Sequence, residues 1–253
     1  MIKDYINLPE EIEEVGFLHP VSIFEWEEFH TLARKFLLYS YDYLNYRLKQ
    51  PELKMFDFLI LTILSSEDSE KRVYDMLELQ RLLQIVFKDT IQCLFDKKKN
   101  EWVFKVGEKG FVTCQNFDRI KEVIMRQNLL YEPIVVEDEN TQTFINQHFE
   151  RLNATGEESD LESMLAYVSN IKGISPETFK TYSYYQLRVD FEMAQKIENN
   201  LYIHMYRTQG AKGEPINITS KLNVHKSPYS LDNIFNKVDE QKEQELQKMM
   251  AGF

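Results

Sequence analysis

Apolar residues recur at intervals of three and four over long stretches of this chain, and no other feature constrains its fold as much. The clearest stripe consists of Leu187, Phe191, Ala194, Ile197, Leu201 and Met205. This spacing places the side chains on one face of an α-helix. The 253 residues include only 8 Gly and 7 Pro, too few for the many tight turns of an all-β sandwich. The pattern therefore predicts a mainly helical protein.

Capping signals predict where several helices begin. Ser22 and Glu25 have the Ser-x-x-Glu spacing of a capping box, and the apolar pattern after them predicts a helix to about Lys49. Ser183 and Gln186 have the equivalent spacing at the start of the 187–205 stripe. Further helices are predicted over about 53–64, 69–88, 116–130, 140–152 and 161–172, from Ser175 and from Ser230. The inner face predicted for the 69–88 helix consists of Val73, Met76, Leu77, Leu82, Leu83 and Val86.

In the middle of the chain, at about 90–115, the pattern changes from a helical period to alternation. Thr90–Phe95, Trp102–Val106 and Phe111–Cys114 are β-rich and are separated by short polar turns, which predicts a three-stranded antiparallel meander. The expected fold class is α+β, mainly α-helical with a small three-stranded antiparallel β-meander. Cys93 and Cys114 fall on the outer strands, so we do not expect them to pair. Two cysteines among this many apolar residues indicate buried thiols in a reducing compartment.

The segment 153–160 is rich in small and acidic residues, with Gly156 at its centre, and we interpret it as a linker. It separates an N-terminal helical region, 1–152, which contains the meander, from a C-terminal helical region, 161–253. The last part of the C-terminal region is a charged tail that we expect to be mobile.

The chain carries 30 basic and 41 acidic side chains, a net charge of −11, which argues against a general nucleic-acid binder. Much of the acidity lies in residues 1–28 and 132–162. These segments are either solvated surface or a screen against a basic partner or premature self-association. Lys97–Lys99 is a short basic run on a predicted turn. It does not change this expectation.

The N-terminus has no basic region followed by an apolar run, so a signal peptide is not predicted. The longest apolar stretch, around residues 55–64, is about half as long as a bilayer-spanning helix. We therefore expect a protein of the cytoplasm with no membrane association.

Residue patterns for catalysis or cofactor binding are missing from the sequence. The five histidines are scattered, and no Gly-x-Ser-x-Gly occurs. Gly107–Gly110 has the form of a hairpin turn, not of a phosphate loop. Glu10, Glu11, Glu13 and Glu14 are interpreted as solvated carboxylates without buried apolar neighbours that would raise a pKa. The sequence thus predicts no enzyme, no cofactor and no metal site.

Two apolar features remain as candidate partner surfaces. The 187–205 stripe is explained either by core packing or by partner binding. The second feature is a set of apolar residues on the charged C-terminal tail, namely Leu246, Met249, Met250 and Phe253. Methionine adapts to irregular surfaces, and such a segment docks as an amphipathic helix or is a frayed terminus.

Three stretches carry a resemblance to a known family. Phe117–Ile124 leads to the pair Gln127 and Asn128, Tyr182–Phe191 contains Tyr-Tyr-Gln at a helix start, and Gln209–Gly213 is small and basic. They resemble phage and prophage proteins of Gram-positive hosts whose genes usually lie just before the tape-measure gene. Those proteins are treated as tail assembly chaperones.

The resemblance implies a non-enzymatic chaperone in the cytoplasm of the bacterial host. Its expected partner is the tape-measure protein, with the tail tube protein as a further candidate, and it implies no catalytic residues. The alternative is a structural component of the virion, in the tail or baseplate. An enzyme with an unrecognised site is a third hypothesis. The oligomeric state does not follow from the sequence.

Overall fold

The computed structural model describes residues 2–155, 160–209, 218 and 222–229. The chain divides into two compact units, one of residues 1–39, 52–130 and 159–225, and the other of residues 40–51, 131–158 and 226–253. Each unit is assembled from segments that lie far apart in the sequence. The sequence-based boundaries at 1–152, 153–160 and 161–253 stay a prediction.

The expected fold class is confirmed: the described residues are mainly helical and include a small antiparallel sheet. In chain order the elements are α1 (Ile2–Tyr5), β1 (Glu10–Ile12), β2 (Gly16–Leu18), α2 (Trp26–Phe36), a π-helix (Tyr43–Leu48), α3 (Met55–Leu64), α4 (Ser69–Phe87), β3 (Ile91–Asp96), β4 (Glu101–Val106), β5 (Gly110–Val112), α5 (Phe117–Gln127), α6 (Glu139–Thr155), α7 (Leu161–Lys172), a 3₁₀ helix (Pro176–Thr181), α8 (Tyr184–Thr208) and a 3₁₀ turn (Asn223–His225).

The meander is confirmed, with strand order β3-β4-β5 and antiparallel pairing throughout. Cys93 and Cys114 are both free, as expected, but each is only half-buried. The hairpin of β1 and β2 was not expected from the sequence. It lies against the meander, since a Cβ on Gly110 would be 1.9 Å from the carbonyl oxygen of Val15.

The prediction that the first acidic segment has no buried apolar neighbours is wrong, although Glu11, Glu13 and Glu14 are exposed as expected. The hairpin and the residues around it place four apolar side chains in the core: Ile12, Val15, Leu18 and Val21. Asp4 is almost fully buried, and its carboxylate accepts a hydrogen bond of 2.5 Å from Arg126. Glu10 pairs with Arg126 and Arg119. The acidity of this segment therefore includes ion pairs that fix it to α5.

The predicted helix from Ser22 to Lys49 is wrong at both ends. Ser22 forms an isolated bridge with Ser183, and residues 23–25 form a turn before the helix begins. Its hydroxyl donates to the Glu25 carboxylate at 2.9 Å, and neither side chain caps a helix amide. α2 begins at Trp26 and ends at Phe36, well before Lys49.

The inner face predicted for the 69–88 helix is correct only in its second half. Leu79, Leu82, Leu83 and Val86 of α4 are buried, whereas Val73 and Leu77 are 61% and 55% exposed. In its first half α4 contacts α2 through ion pairs instead. Lys35 of α2 lies 2.5 Å from the carboxylates of Asp75 and Glu78.

Gln127 and Asn128, the pair in the first resembling stretch, are fully buried where α5 ends. The Asn128 side chain accepts a hydrogen bond from the Val21 amide at 3.0 Å and donates to the Ile124 carbonyl at 2.8 Å. The side-chain amide of Gln127 donates a hydrogen bond to the Leu18 carbonyl at 3.4 Å. Both side chains hold residues 18–21 against the end of α5, which is a structural role.

Candidate partner-binding surface

The start of α8 is fixed by the predicted capping box. The Ser183 hydroxyl accepts a hydrogen bond from the Gln186 amide at 3.2 Å, and the Gln186 side chain accepts one from the Ser183 amide at 3.0 Å. Two otherwise unpaired backbone amides are thereby satisfied. The Tyr184 ring stacks on Trp26 of α2, with 3.4 Å between ring centroids.

The first half of α8 is part of a hydrophobic core. Leu187 is completely buried in a cluster with Ile23, Met164, Val168 and Phe179, and Phe191 packs partly buried against it. For this half of the 187–205 stripe, core packing is the correct explanation.

A buried carboxylate holds this half of the helix in place. The phenols of Tyr5 and Tyr182 each donate to Asp190 at 3.1 Å, and the Lys172 ammonium lies 2.7 Å from it. Burial, and then the charge of Asp190, raises the pKa of Tyr182 to about 12. The pKa of Tyr5 is raised for the same reasons. Both phenols therefore stay protonated as donors, and the cluster is a structural network.

The second half of α8 leaves the core. Leu201 and Met205 are 60% and 58% exposed, and Ile197 of the same stripe is also exposed. Tyr202 and Tyr206 expose their rings beside them. Because residues four apart lie above one another on a helix, the stripe continues to Met205 as an exposed apolar face. We call Ile197, Leu201, Tyr202, Met205 and Tyr206 the α8 face.

The α8 face is almost free of charge. Between residues 197 and 209, Glu198 and Arg207 are the charged side chains. Glu198 accepts hydrogen bonds from the phenols of Tyr167 and Tyr202. Burial and the Glu198 carboxylate raise the pKa of Tyr167 to about 12. Next to the face lies a groove of about 420 Å³, lined by Ser163, Tyr167, Phe191, Gln195, Glu198 and Asn199. The surface favours an apolar partner over a charged one.

Further large apolar side chains are exposed on α3 and on the first half of α4. They are Leu61, Leu64, Val73, Tyr74 and Leu77, which we together call the α3–α4 patch. Sequence reasoning assigned Val73 and Leu77 to the core. Asp75 and Glu78 are the sequence feature that argued against a buried position for Val73 and Leu77. In the structure both acids pair with Lys35 of α2.

The remaining candidates from the sequence are the apolar residues of the C-terminal tail and the lysine run. Leu246, Met249, Met250 and Phe253 lie outside the described residues, as does the helix predicted from Ser230. Lys97–Lys99 lies exposed on the turn between β3 and β4. Over the described ranges 2–155, 160–209, 218 and 222–229, no group of three or more His, Cys, Asp or Glu side chains could hold a metal ion.

No protein-family model, curated protein or solved structure matches this chain. The resemblance to tail assembly chaperones accordingly depends on the three sequence stretches. Within the described residues, none of the helices has the length and apolar character needed to cross a bilayer.

Proposed function

We propose that this protein is a non-enzymatic tail assembly chaperone of a phage or prophage, which binds the tape-measure protein in the host cytoplasm and keeps it soluble. The observation that carries the proposal is the α8 face, where five large apolar side chains of one helix end are exposed. A tape-measure protein is long, helical and apolar. Its surface needs to be covered before tube subunits polymerise around it.

The energetics of the α8 face favour weak, repeated binding. Complete burial of a Leu or Met side chain contributes about 1.5–3 kcal/mol, and Leu201 and Met205 still have more than half of that burial to gain. Association itself costs several kcal/mol in lost freedom. One face therefore binds one site weakly, and several copies along a long helical partner would be released readily during tube assembly. The net charge of −11 keeps such a loaded complex in solution.

The proposal is tested by affinity capture of the tagged full chain from its host during expression of the whole gene cluster, with mass spectrometry of the partners. We expect the wild type to retain a very long helical protein. The double variant Leu201→Gln/Met205→Gln should lose it, since two exposed apolar contacts become polar. The matched control is Val73→Gln/Leu77→Gln on the α3–α4 patch, which should retain the partner.

A third variant lacking residues 239–253 tests the tail residues Leu246, Met249, Met250 and Phe253. Loss of the partner only on this deletion would move the binding site from α8 to the tail. Recovery of tube or baseplate proteins alone would favour the structural-component alternative. Purified particles distinguish the two functions, because a chaperone is absent from them and a structural component is present in stoichiometric amounts.

A further inference from the structure

A fixed carboxylate lies in the groove beside the α8 face. Each of the two Glu198 oxygens accepts a hydrogen bond from one phenol: Tyr167 donates from α7, and Tyr202 donates from the next turn of α8 at 3.3 Å. The side chain is half-buried. A carboxylate offers about four lone-pair sites, and the phenols use two of them. Glu198 can therefore accept further hydrogen bonds from a group that enters the groove.

The charge of Glu198 is not neutralised by a cation. In the described part of the chain no lysine or arginine forms an ion pair with it, and Lys196, two residues before it, pairs with Glu192 instead. None of the residues that line the groove is basic. A half-buried anion is less well solvated than one in bulk water, so this position favours a cationic partner.

The rest of the groove also suits a cation. The rings of Tyr167 and Phe191 meet edge to face, with 5.3 Å between their centroids, and aromatic faces attract cations. Gln195 and Asn199 lie one turn apart on α8, and their side-chain carbonyls, with the Ser163 hydroxyl, add neutral acceptors to the lining. An anion, neutral acceptors and aromatic rings together form the chemistry that binds an ammonium or guanidinium group.

The adjoining surface of α8 has the shape that another helix fits. One row of side chains at a spacing of four runs from Glu198 to Tyr206, and the next row runs from Ile197 to Met205. Rows of this spacing form ridges, and the furrow between two ridges accommodates a ridge of a second helix. The rows span about 14 Å along the axis, or two to three helical turns. Glu198 lies at their N-terminal end, so it contacts one end of a docked helix.

We propose that the partner of the α8 face is an amphipathic helix with a lysine or arginine at one end of its apolar stripe, and that this basic side chain enters the groove and binds Glu198. The choice of face rests on the proposed function; the charge of the partner is the new element. A wholly apolar helix would cover Glu198 without a counter-ion, and an acidic side chain would place like charges together. The groove therefore selects among helices that fit the α8 face equally well.

The test uses a pair of synthetic amphipathic helical peptides with the same leucine stripe. One carries lysine and the other glutamine at one end of the stripe. Their affinities for the full chain are measured by fluorescence anisotropy. We expect the wild type to bind the lysine peptide about tenfold more tightly, as for a charge-assisted hydrogen bond. Glu198→Gln should bind both peptides equally. This variant keeps an oxygen that accepts from a phenol, so the fold is retained.

Two further variants separate this contact from general effects of charge and folding. Glu13→Gln removes one exposed acid from another part of the chain and should keep the tenfold preference. Glu198→Lys should reject the lysine peptide and prefer a third peptide with glutamate at the same position. A damaged fold cannot produce such a reversal.

Equal affinity of the wild type for the lysine and glutamine peptides, or no binding of either, would overturn the proposal. A lysine preference that persists in Glu198→Gln would also overturn it. The proposed function is judged separately, by capture from the host. Failure to capture a long helical protein would contradict that function and leave the peptide preference standing, whereas capture together with equal peptide affinities would overturn this inference alone.

Discussion

At the scale of single residues, buried polar side chains join segments that are far apart in the chain. Asn128 bonds to Val21, and Asp190 bonds to Tyr5. In both cases the side chain bonds to a group from a distant segment, and removing the side chain leaves that group without its partner.

Asn128→Ala removes the acceptor of the buried Val21 amide. We expect the free energy of unfolding to fall by about 1–3 kcal/mol, the cost of an unsatisfied buried group. Urea unfolding measures this change. Asn199→Ala is the control, since Asn199 is exposed on α8, and its effect should stay within about 0.5 kcal/mol. Equal effects at both positions would contradict the role assigned to Asn128.

The Tyr182 phenol makes the free energy of unfolding depend on pH in the alkaline range. Its pKa is about 12 in the folded state against an ordinary value of 10.0, so between these values the folded state binds more protons than the unfolded state. Stability is therefore fully retained below about pH 10 and falls as pH rises towards 12. In Tyr182→Phe this fall should be shallower, although stability at neutral pH is lower because Asp190 loses a donor. Unfolding free energies across this range measure both effects, and Tyr206→Phe, an exposed phenol, should keep the wild-type slope.

At the scale of elements, periodicity identified most helices, but not which part of each is buried. The second half of α4 is core and the first half is not; in α8 the order is reversed. The same apolar spacing therefore occurs in the buried half and in the exposed half of one helix. The capping box at Ser183 formed because its backbone leads directly into α8. The one predicted at Ser22 did not, because residues 23–25 form a turn and α2 begins only at Trp26.

The contrast within α4 gives a direct prediction. Leu83→Ala should lower the free energy of unfolding by about 2–5 kcal/mol, as expected for a fully buried leucine. Leu77→Ala should change it by less than about 0.5 kcal/mol, because Leu77 is exposed. Chemical unfolding of both variants measures the difference. A large loss at Leu77 would show that this side chain is covered in solution.

At the scale of the whole molecule, the acidic N-terminal segment holds together sequence-distant parts of the larger unit. Asp4 and Glu10 bind Arg126 of α5. Farther along, Val15 contacts the meander at Gly110. The side-chain amide of Asn7 donates to Thr181 and Gln186 at 2.8 Å. The acidic segment, although Glu11, Glu13 and Glu14 are exposed, thus joins α5, the meander and the start of α8.

Gly110→Ala tests the packing of the hairpin on the meander. The added Cβ would lie 1.9 Å from the Val15 carbonyl oxygen, so backbone has to move. We expect a loss of at least about 1–3 kcal/mol in the free energy of unfolding, as for an overpacked core. Gly173→Ala is the comparison: nothing lies within 4 Å of its added Cβ, and the cost should be about 1 kcal/mol from its positive φ alone. A smaller loss at Gly110 than at Gly173 would contradict this packing.

The sequence by itself determined the fold class, the meander and the approximate positions of most helices, because periodicity, turns and capping are local properties of the chain. It determined neither the β1–β2 hairpin nor the end of α2, since both depend on contacts with distant segments. Only the tertiary structure decided that the stripe on α8 is core at Leu187 and surface at Leu201 and Met205. The physical reason is that an apolar side chain has the same spacing on its helix whether another part of the chain covers it or not.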